Sequence, residues 1–130
     1  MKILGIGVDI IENKRIKNSL KNTKFKIRIY DNKELKQSNL SKNKVNYFSK
    51  RFAAKEAFTK ALGTGFRENL NFKDIVIIND TMGKPYYLIT NKITKIIQKR
   101  FKVRNFDCFL SISDEKDYST AFTIIQSKWN

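Results

Sequence analysis

Phe48-Ser49-Lys50-Arg51-Phe52-Ala53-Ala54-Lys55-Glu56-Ala57-Phe58-Thr59-Lys60-Ala61-Leu62-Gly63-Thr64-Gly65 is the stretch whose reading decides the fold. Ala, Lys, Glu, Leu and Arg are strong helix formers, and no proline interrupts them. Phe48 and Phe52 are spaced i,i+4, as are Phe58 and Leu62, so apolar side chains can face a core. Gly63 ends the helix, and Gly65 leaves the exit loop free to turn. Glu56 sits in the middle of this apolar and basic helix, with Lys60 one turn later on the same face. Two readings stand. The pair is an i,i+4 contact on a solvated face, contributing ~0.2–0.5 kcal/mol, or Glu56 binds a metal and Lys60 neutralises a phosphate beside it.

Before this helix, Ile3 to Ile11 reads as a first strand rich in β-branched residues, with Gly5 and Gly7 permitting close backbone approach. Asp9 interrupts it, and an acid in an apolar strand is costly to bury unless paired or metal-bound. It otherwise marks the strand end. Asn13 to Leu20 reads as a short helix with Ile16 and Leu20 inward. Lys21, Lys24, Lys26 and Arg28 continue a basic surface, and Phe25, Ile27, Ile29 and Tyr30 are expected to anchor it. Asp31 with Glu34 forms a capping box for a helix to about Gln37, and Ser38 to Asn46 is expected to be loop.

After the central helix, Phe66 to Asn71 connects to the segment Phe72 to Asn79, whose Ile75-Val76-Ile77-Ile78 is a buried-strand signal. Asp80 to Gly83 turns the chain into a second strand from Lys84 to Ile89, with Pro85 at its start. Asn91 to Phe101 is amphipathic, with Ile93, Ile96, Ile97 and Phe101 inward. Phe106 to Ser113 and Tyr118 to Gln126 read as a final hairpin around Asp114-Glu115-Lys116-Asp117. The order predicts an α+β fold in one domain, residues 1–130, with an antiparallel sheet packed against the long helix.

Composition narrows the chemistry. The chain has 130 residues, no histidine and one cysteine. An internal disulfide, a Ser-His-Asp triad and a Cys/His zinc site are excluded. Any metal must take oxygen ligands, which favours magnesium, manganese or calcium. Cys108 lies among apolar residues and reads as core. Twenty-seven Lys and Arg against twelve Asp and Glu give a formal charge of +15, a surface that attracts polyanions or an acidic protein. No apolar run approaches the ~20 residues of a membrane span. The first nine residues carry an acid where a signal peptide would stay apolar, so the expected location is cytoplasmic.

Gly7-Val8-Asp9-Ile10, then Arg51 to Gly65, then Gly83-Lys84-Pro85, then Leu110-Ser111-Ile112-Ser113-Asp114 with Tyr118 and Ala121-Phe122, together resemble the holo-acyl-carrier-protein synthases, a group of small 4′-phosphopantetheinyl transferases. The resemblance spans nearly the whole chain in order. It implies the 4′-phosphopantetheinyl transferase fold, assembled as a homotrimer with active sites at subunit interfaces. It implies transfer of the phosphopantetheine arm of coenzyme A to a serine of acyl carrier protein, with magnesium required. Asp9 and Glu56 match the family's metal carboxylates, and Lys60 matches the lysine beside the transferring phosphate. The serine proton would go to Glu56 or to a metal-bound hydroxide.

Gly63-Thr64-Gly65 would offer backbone N–H groups near the nucleotide. Gly83-Lys84-Pro85 would contact the adenine or a phosphate, or serve as an ordinary turn. Arg15, Lys21, Lys24 and Arg28 would face the acidic carrier protein, with Phe25 as an apolar anchor or a core residue. Relatives place a histidine just before or just after the Ser-x-Ser stretch, where this chain has Phe109 and Asp114. Arg51, Lys55 or Lys84 would then grip the 3′-phosphate. A second reading, a nucleic-acid-binding module, rests on charge and aromatics alone and leaves Asp9 and Glu56 unexplained.

Overall fold

The structure, a computed structural model, describes residues 1–67 and 69–129. The predicted first strand forms as β1 (Lys2–Glu12), followed by three short helices, α1 (Asn13–Ser19), α2 (Thr23–Ile29) and α3 (Asn32–Gln37). The long helix α4 covers Lys44–Leu62. The hairpin β2 (Val76–Asn79) and β3 (Pro85–Leu88), helix α5 (Asn91–Phe101), and the hairpin β4 (Phe106–Asp114) and β5 (Tyr118–Ser127) complete the chain. The strands make two sheets and not one: an antiparallel sheet in the order β1-β5-β4, and the separate β2-β3 ribbon.

Three local expectations change. The segment read as loop up to Asn46 holds a 3₁₀ turn at Ser38–Leu40, and α4 begins at Lys44, because the Asn43 side chain caps it by accepting the Asn46 N–H at 3.1 Å. The basic stretch after Lys21 is helical, capped by Asn22, whose side chain accepts the Lys24 N–H. Within it Ile29 and Tyr30 are buried as expected, but Ile27 points outward and is exposed. The α3 capping box forms as read, with both Asp31 and Glu34 taking part. Gly63 ends α4 in the left-handed region, at φ 77°.

Helix α4 is buried on nearly every side. Ala53, Ala54, Ala57, Phe58, Ala61 and Leu62 are all in the core. It lies against β1 and β5, and the two glycines of β1 set how close it comes. A Cβ on Gly5 would collide with the Ala61 carbonyl, and one on Gly7 with the Ala57 carbonyl and the Ala61 nitrogen. Glycine below and alanine above therefore let strand and helix backbones touch.

A buried ion pair fixes the other side of the helix. The Lys55 ammonium lies 2.7 Å from Glu34 Oε1, with both side chains fully buried. It also donates to the carbonyls of Phe72, at 3.0 Å, and Ile75. Glu34 Oε2 accepts the Ile77 N–H at 3.2 Å, and Oε1 accepts the Asp31 N–H at 3.0 Å. Burial pushes the Glu34 carboxyl up and the Lys55 ammonium down, and each partner offsets the other's shift. This clasp joins α3, α4 and β2.

Two outcomes follow. Gly7→Ala forces strand and helix apart and lowers unfolding free energy by about 1–3 kcal/mol in urea titration. Lys55→Ala strands a buried carboxylate and costs about 3–5 kcal/mol by the same measurement, whereas Lys60→Ala, at an exposed ammonium, changes stability by less than about 1 kcal/mol.

Candidate active site

The close approach of β1 to α4 brings Asp9 beside the Glu56–Lys60 face of the helix. Lys60 Nζ lies 3.1 Å from Asp9 Oδ1 and donates to the Val8 carbonyl at 3.0 Å. The bland pairing of Lys60 with Glu56 is thus replaced by a pairing across elements. Thr120 Oγ1 donates to the Asp9 carbonyl at 2.8 Å and steadies this part of the strand. Burial raises the Glu56 carboxyl, the negative charge of Asp9 raises it further, and Lys60 and Arg15 pull it back. Burial is the largest of these causes, and the two carboxylates are answered by two cations, Lys60 and Arg15. Two partly exposed carboxylates from neighbouring elements suit a hard, water-keeping ion. The donor chemistry fits magnesium.

A second feature lies along the α4 face that carries Arg51. A cleft of about 420 Å³ is walled by Tyr47, Lys50 and Arg51 of α4, by Asn79, Asp80, Thr81, Gly83 and Pro85 of the β2-β3 hairpin, and by Ile112 and Asp114 of β4. Arg51 is only 2% exposed, with its guanidinium stacked 3.7 Å from the Tyr47 ring centre. One end donates to Asn79 Oδ1 at 3.3 Å, while Nε is buried with no hydrogen-bond partner among the described residues. A guanidinium on the wall of a cleft is a fitting partner for an anionic oxygen. The register places Asp9, Ala121 and Ile112 in one row across the sheet. Asp9 and Ile112 of the cleft wall therefore stand about 10 Å apart along that row, two strand spacings, with buried Ala121 between them.

The remaining expected site residues divide. Lys55 is corrected: its ammonium is fully used by Glu34 and two carbonyls inside the core, so it cannot reach a nucleotide. Gly63, Thr64 and Gly65 lie at the C-terminal end of α4, where Thr64 borders a separate, mostly apolar groove with Ile96 and Arg100. They do not line the Arg51 cleft. Pro85 does, together with Gly83, while Lys84 between them is exposed. Arg15, Lys21, Lys24 and Arg28 are all exposed on α1, α2 and their connection. Lys24, Phe25 and Arg28 share one shallow groove. Phe25 is half-buried, stacked on Phe52 and edge-on to Tyr30, so it serves the core and still borders that groove.

Cys108 is held as a thiol, its pKa pushed up to about 12 by burial, which agrees with a packing role. Asp114, Lys50, Tyr47 and Asn79 line the cleft without having been read as site residues. No sequence signal marks Tyr47 or Asn79, because three separate elements must converge before they share a wall.

The chain matches the model of the 4′-phosphopantetheinyl transferase superfamily over residues 5–123. It is 61% identical over 128 residues to a holo-[acyl-carrier-protein] synthase of Pelagibacter ubique, covering 98% of this chain and 100% of the relative. The fold superposes with TM-score 0.86 on a holo-[acyl-carrier-protein] synthase of Neisseria meningitidis, at 38% identity, covering 96% of this chain and 99% of that one. It superposes with TM-score 0.80 on the Bacillus anthracis synthase in complex with CoA (3′,5′-ADP), at 34% identity, covering 98% of this chain and all of that one. With the family model, the relatives and the fold all in agreement, this chain belongs to the 4′-phosphopantetheinyl transferase superfamily and, within it, to the holo-[acyl-carrier-protein] synthases.

Proposed function

We propose that this protein transfers the 4′-phosphopantetheine arm of coenzyme A to a serine of apo acyl carrier protein. The observation that carries this reading is the meeting of Asp9, Glu56 and Lys60 where β1 crosses α4. The serine oxygen forms a bond to the phosphorus that bears pantetheine. The pyrophosphate P–O bond breaks, and adenosine 3′,5′-bisphosphate leaves with the electron pair.

Asp9 and Glu56 would hold magnesium, which supplies positive charge against the pyrophosphate when bound. Lys60 adds a second positive charge at the same place. Glu56, whose carboxyl is raised, would accept the serine proton. Arg51 and Pro85 of the cleft, with the exposed Lys84 next to Pro85, would take the nucleotide end. The Gly63-Thr64-Gly65 loop, at the Lys60 end of α4, would sit nearer the pantetheine side. The exposed cations Arg15, Lys21, Lys24 and Arg28, with Phe25 in their groove, would orient the acidic carrier. The nucleic-acid reading gains nothing from the comparisons and leaves the paired carboxylates without a use.

A homotrimer also fits. The outer face of the β1-β5-β4 sheet exposes Ile6, Val8, Ile10, Phe109 and Phe122 together, with Ile10 67% exposed. An apolar sheet face of this kind is covered in a stable protein. Pairing chains there would let the nucleotide cleft of one serve the carboxylates of the next. The cytoplasm is the compartment where coenzyme A and carrier protein meet, and among the described residues no helix is long and apolar enough to cross a membrane.

The reaction is tested by a mass spectrum of apo acyl carrier protein incubated with the enzyme, coenzyme A and magnesium. The carrier gains one phosphopantetheine arm. EDTA, Asp9→Ala and Glu56→Ala each lower the rate at least about 10²-fold, and failure of the wild type to modify any carrier refutes the proposal.

Glu56→Gln has a second effect. A carboxyl whose pKa is raised on folding contributes stability that is present at low pH and lost as pH rises through the folded value. The magnesium-free variant is therefore more thermostable than wild type at neutral pH, and the gap closes in acid. Magnesium raises the melting temperature of wild type but not of the variant. Val8→Glu with Phe122→Glu converts the trimer to monomer in light scattering and lowers transfer, although Asp9, Glu56 and Lys60 remain.

A further inference from the structure

Asn13 is a buried polar residue that the reaction above does not use. It is the first residue of α1 and 4% exposed. Its Nδ2 donates to the carbonyls of Glu115 and Lys116, both at 3.1 Å. Its Oδ1 accepts from the fully buried Ser119 hydroxyl at 2.7 Å, and its backbone N–H donates to the Asp117 carbonyl at 2.8 Å. The carboxamide orientation follows from its partners, since the two turn carbonyls can only accept. One side chain thus grips the β4-β5 turn, whose own residues Glu115, Lys116 and Asp117 are otherwise exposed.

That turn begins at Asp114, on the wall of the Arg51 cleft. Asp114 accepts from Asn46 Nδ2 at 2.8 Å and lies 3.9 Å from Lys50 Nζ. Lys50 stands beside Arg51 on the same wall. A continuous path runs from Asn13 through the turn to Asp114, and from Asp114 to a cation of the cleft. In the other direction, residue 13 follows directly on β1, the strand that carries Asp9. Asn13 therefore ties the turn that follows the cleft wall to the end of the carboxylate strand.

We infer that Asn13 is a positioning residue for nucleotide binding, acting through Asp114 and Lys50. It touches no reacting atom. The inference rests on the transferase reading in one respect, that the ligand of the cleft is the nucleotide end of coenzyme A. Its effect is on preorganisation: with the turn released, Asp114 no longer holds Lys50 at the cleft, and the ligand must order that wall itself.

The test compares wild type with Asn13→Ala, Ser119→Ala, Asp114→Ala and the Asn13→Ala/Asp114→Ala double variant. Transfer rates are measured with coenzyme A varied, and hydrogen exchange is followed across residues 114–119. Asn13→Ala raises KM for coenzyme A about fivefold to tenfold with kcat held within about twofold, and it accelerates exchange in the turn. Ser119→Ala, which loses a single bond, shifts both in the same direction by less and keeps the test open if Asn13→Ala does not fold. The double variant matches Asp114→Ala alone, because the two residues act in series. Additive effects in the double variant, a fall in kcat at constant KM, or unchanged exchange in the turn overturns the assignment. If wild type transfers nothing, the transferase reading fails by itself, and the affinity for adenosine 3′,5′-bisphosphate measured by calorimetry replaces KM in the same comparison. Absence of that binding in wild type overturns both.

Discussion

The contact between β1 and α4 governs the rest of this molecule. Gly5 and Gly7 lie against the carbonyls of Ala61 and Ala57 with no room for a Cβ on either. Only at that distance does Asp9 reach Lys60 and bear on the Glu56 carboxyl. A larger residue at either glycine would keep a helix and a strand but separate Asp9 from Lys60 and Glu56. The small residues thus set the geometry of this cluster as much as the packing.

The same helix sorts its cations by the faces they occupy. Lys55 and Lys60 are five residues apart in a uniformly basic run, yet one is sealed in the core against Glu34 and the other projects toward Asp9. The buried pair holds α3 and β2 to the helix, which in turn fixes the hairpin wall facing Arg51. Stability and binding therefore draw on neighbouring positions of one helix, and a substitution at Lys55 would act on the site only by loosening what surrounds it.

Charge on this protein has several distinct uses for the same reason. Lys60 answers the carboxylate of Asp9, Arg51 lines a cleft, and the cations of α1 and α2 stand in water. Composition alone reports the sum of these, +15. It does not report that Lys55 contributes nothing to the surface, nor that Asp114 lies on the wall of a cleft that also holds Lys50 and Arg51.

The sequence by itself determined the local architecture and the family. The α3 capping box, the Gly63 stop, the two hairpins and the span of α5 follow from short-range periodicity and turn chemistry, and they form as read. The carboxylates Asp9 and Glu56 were visible because an acid is out of place in an apolar strand or a basic helix. Tertiary structure decided what depends on which face turns inward. Spacing could not tell buried Lys55 from exposed Lys60, since α4 carries polar and apolar residues on all sides and gives no single polar face to orient it. It could not place Ile27 in solvent, split the strands into two sheets, or bring Tyr47, Asn79 and Asp114 to one wall. Those outcomes are set by contacts between residues far apart in the chain, where packing and desolvation choose among arrangements that local preference leaves equal.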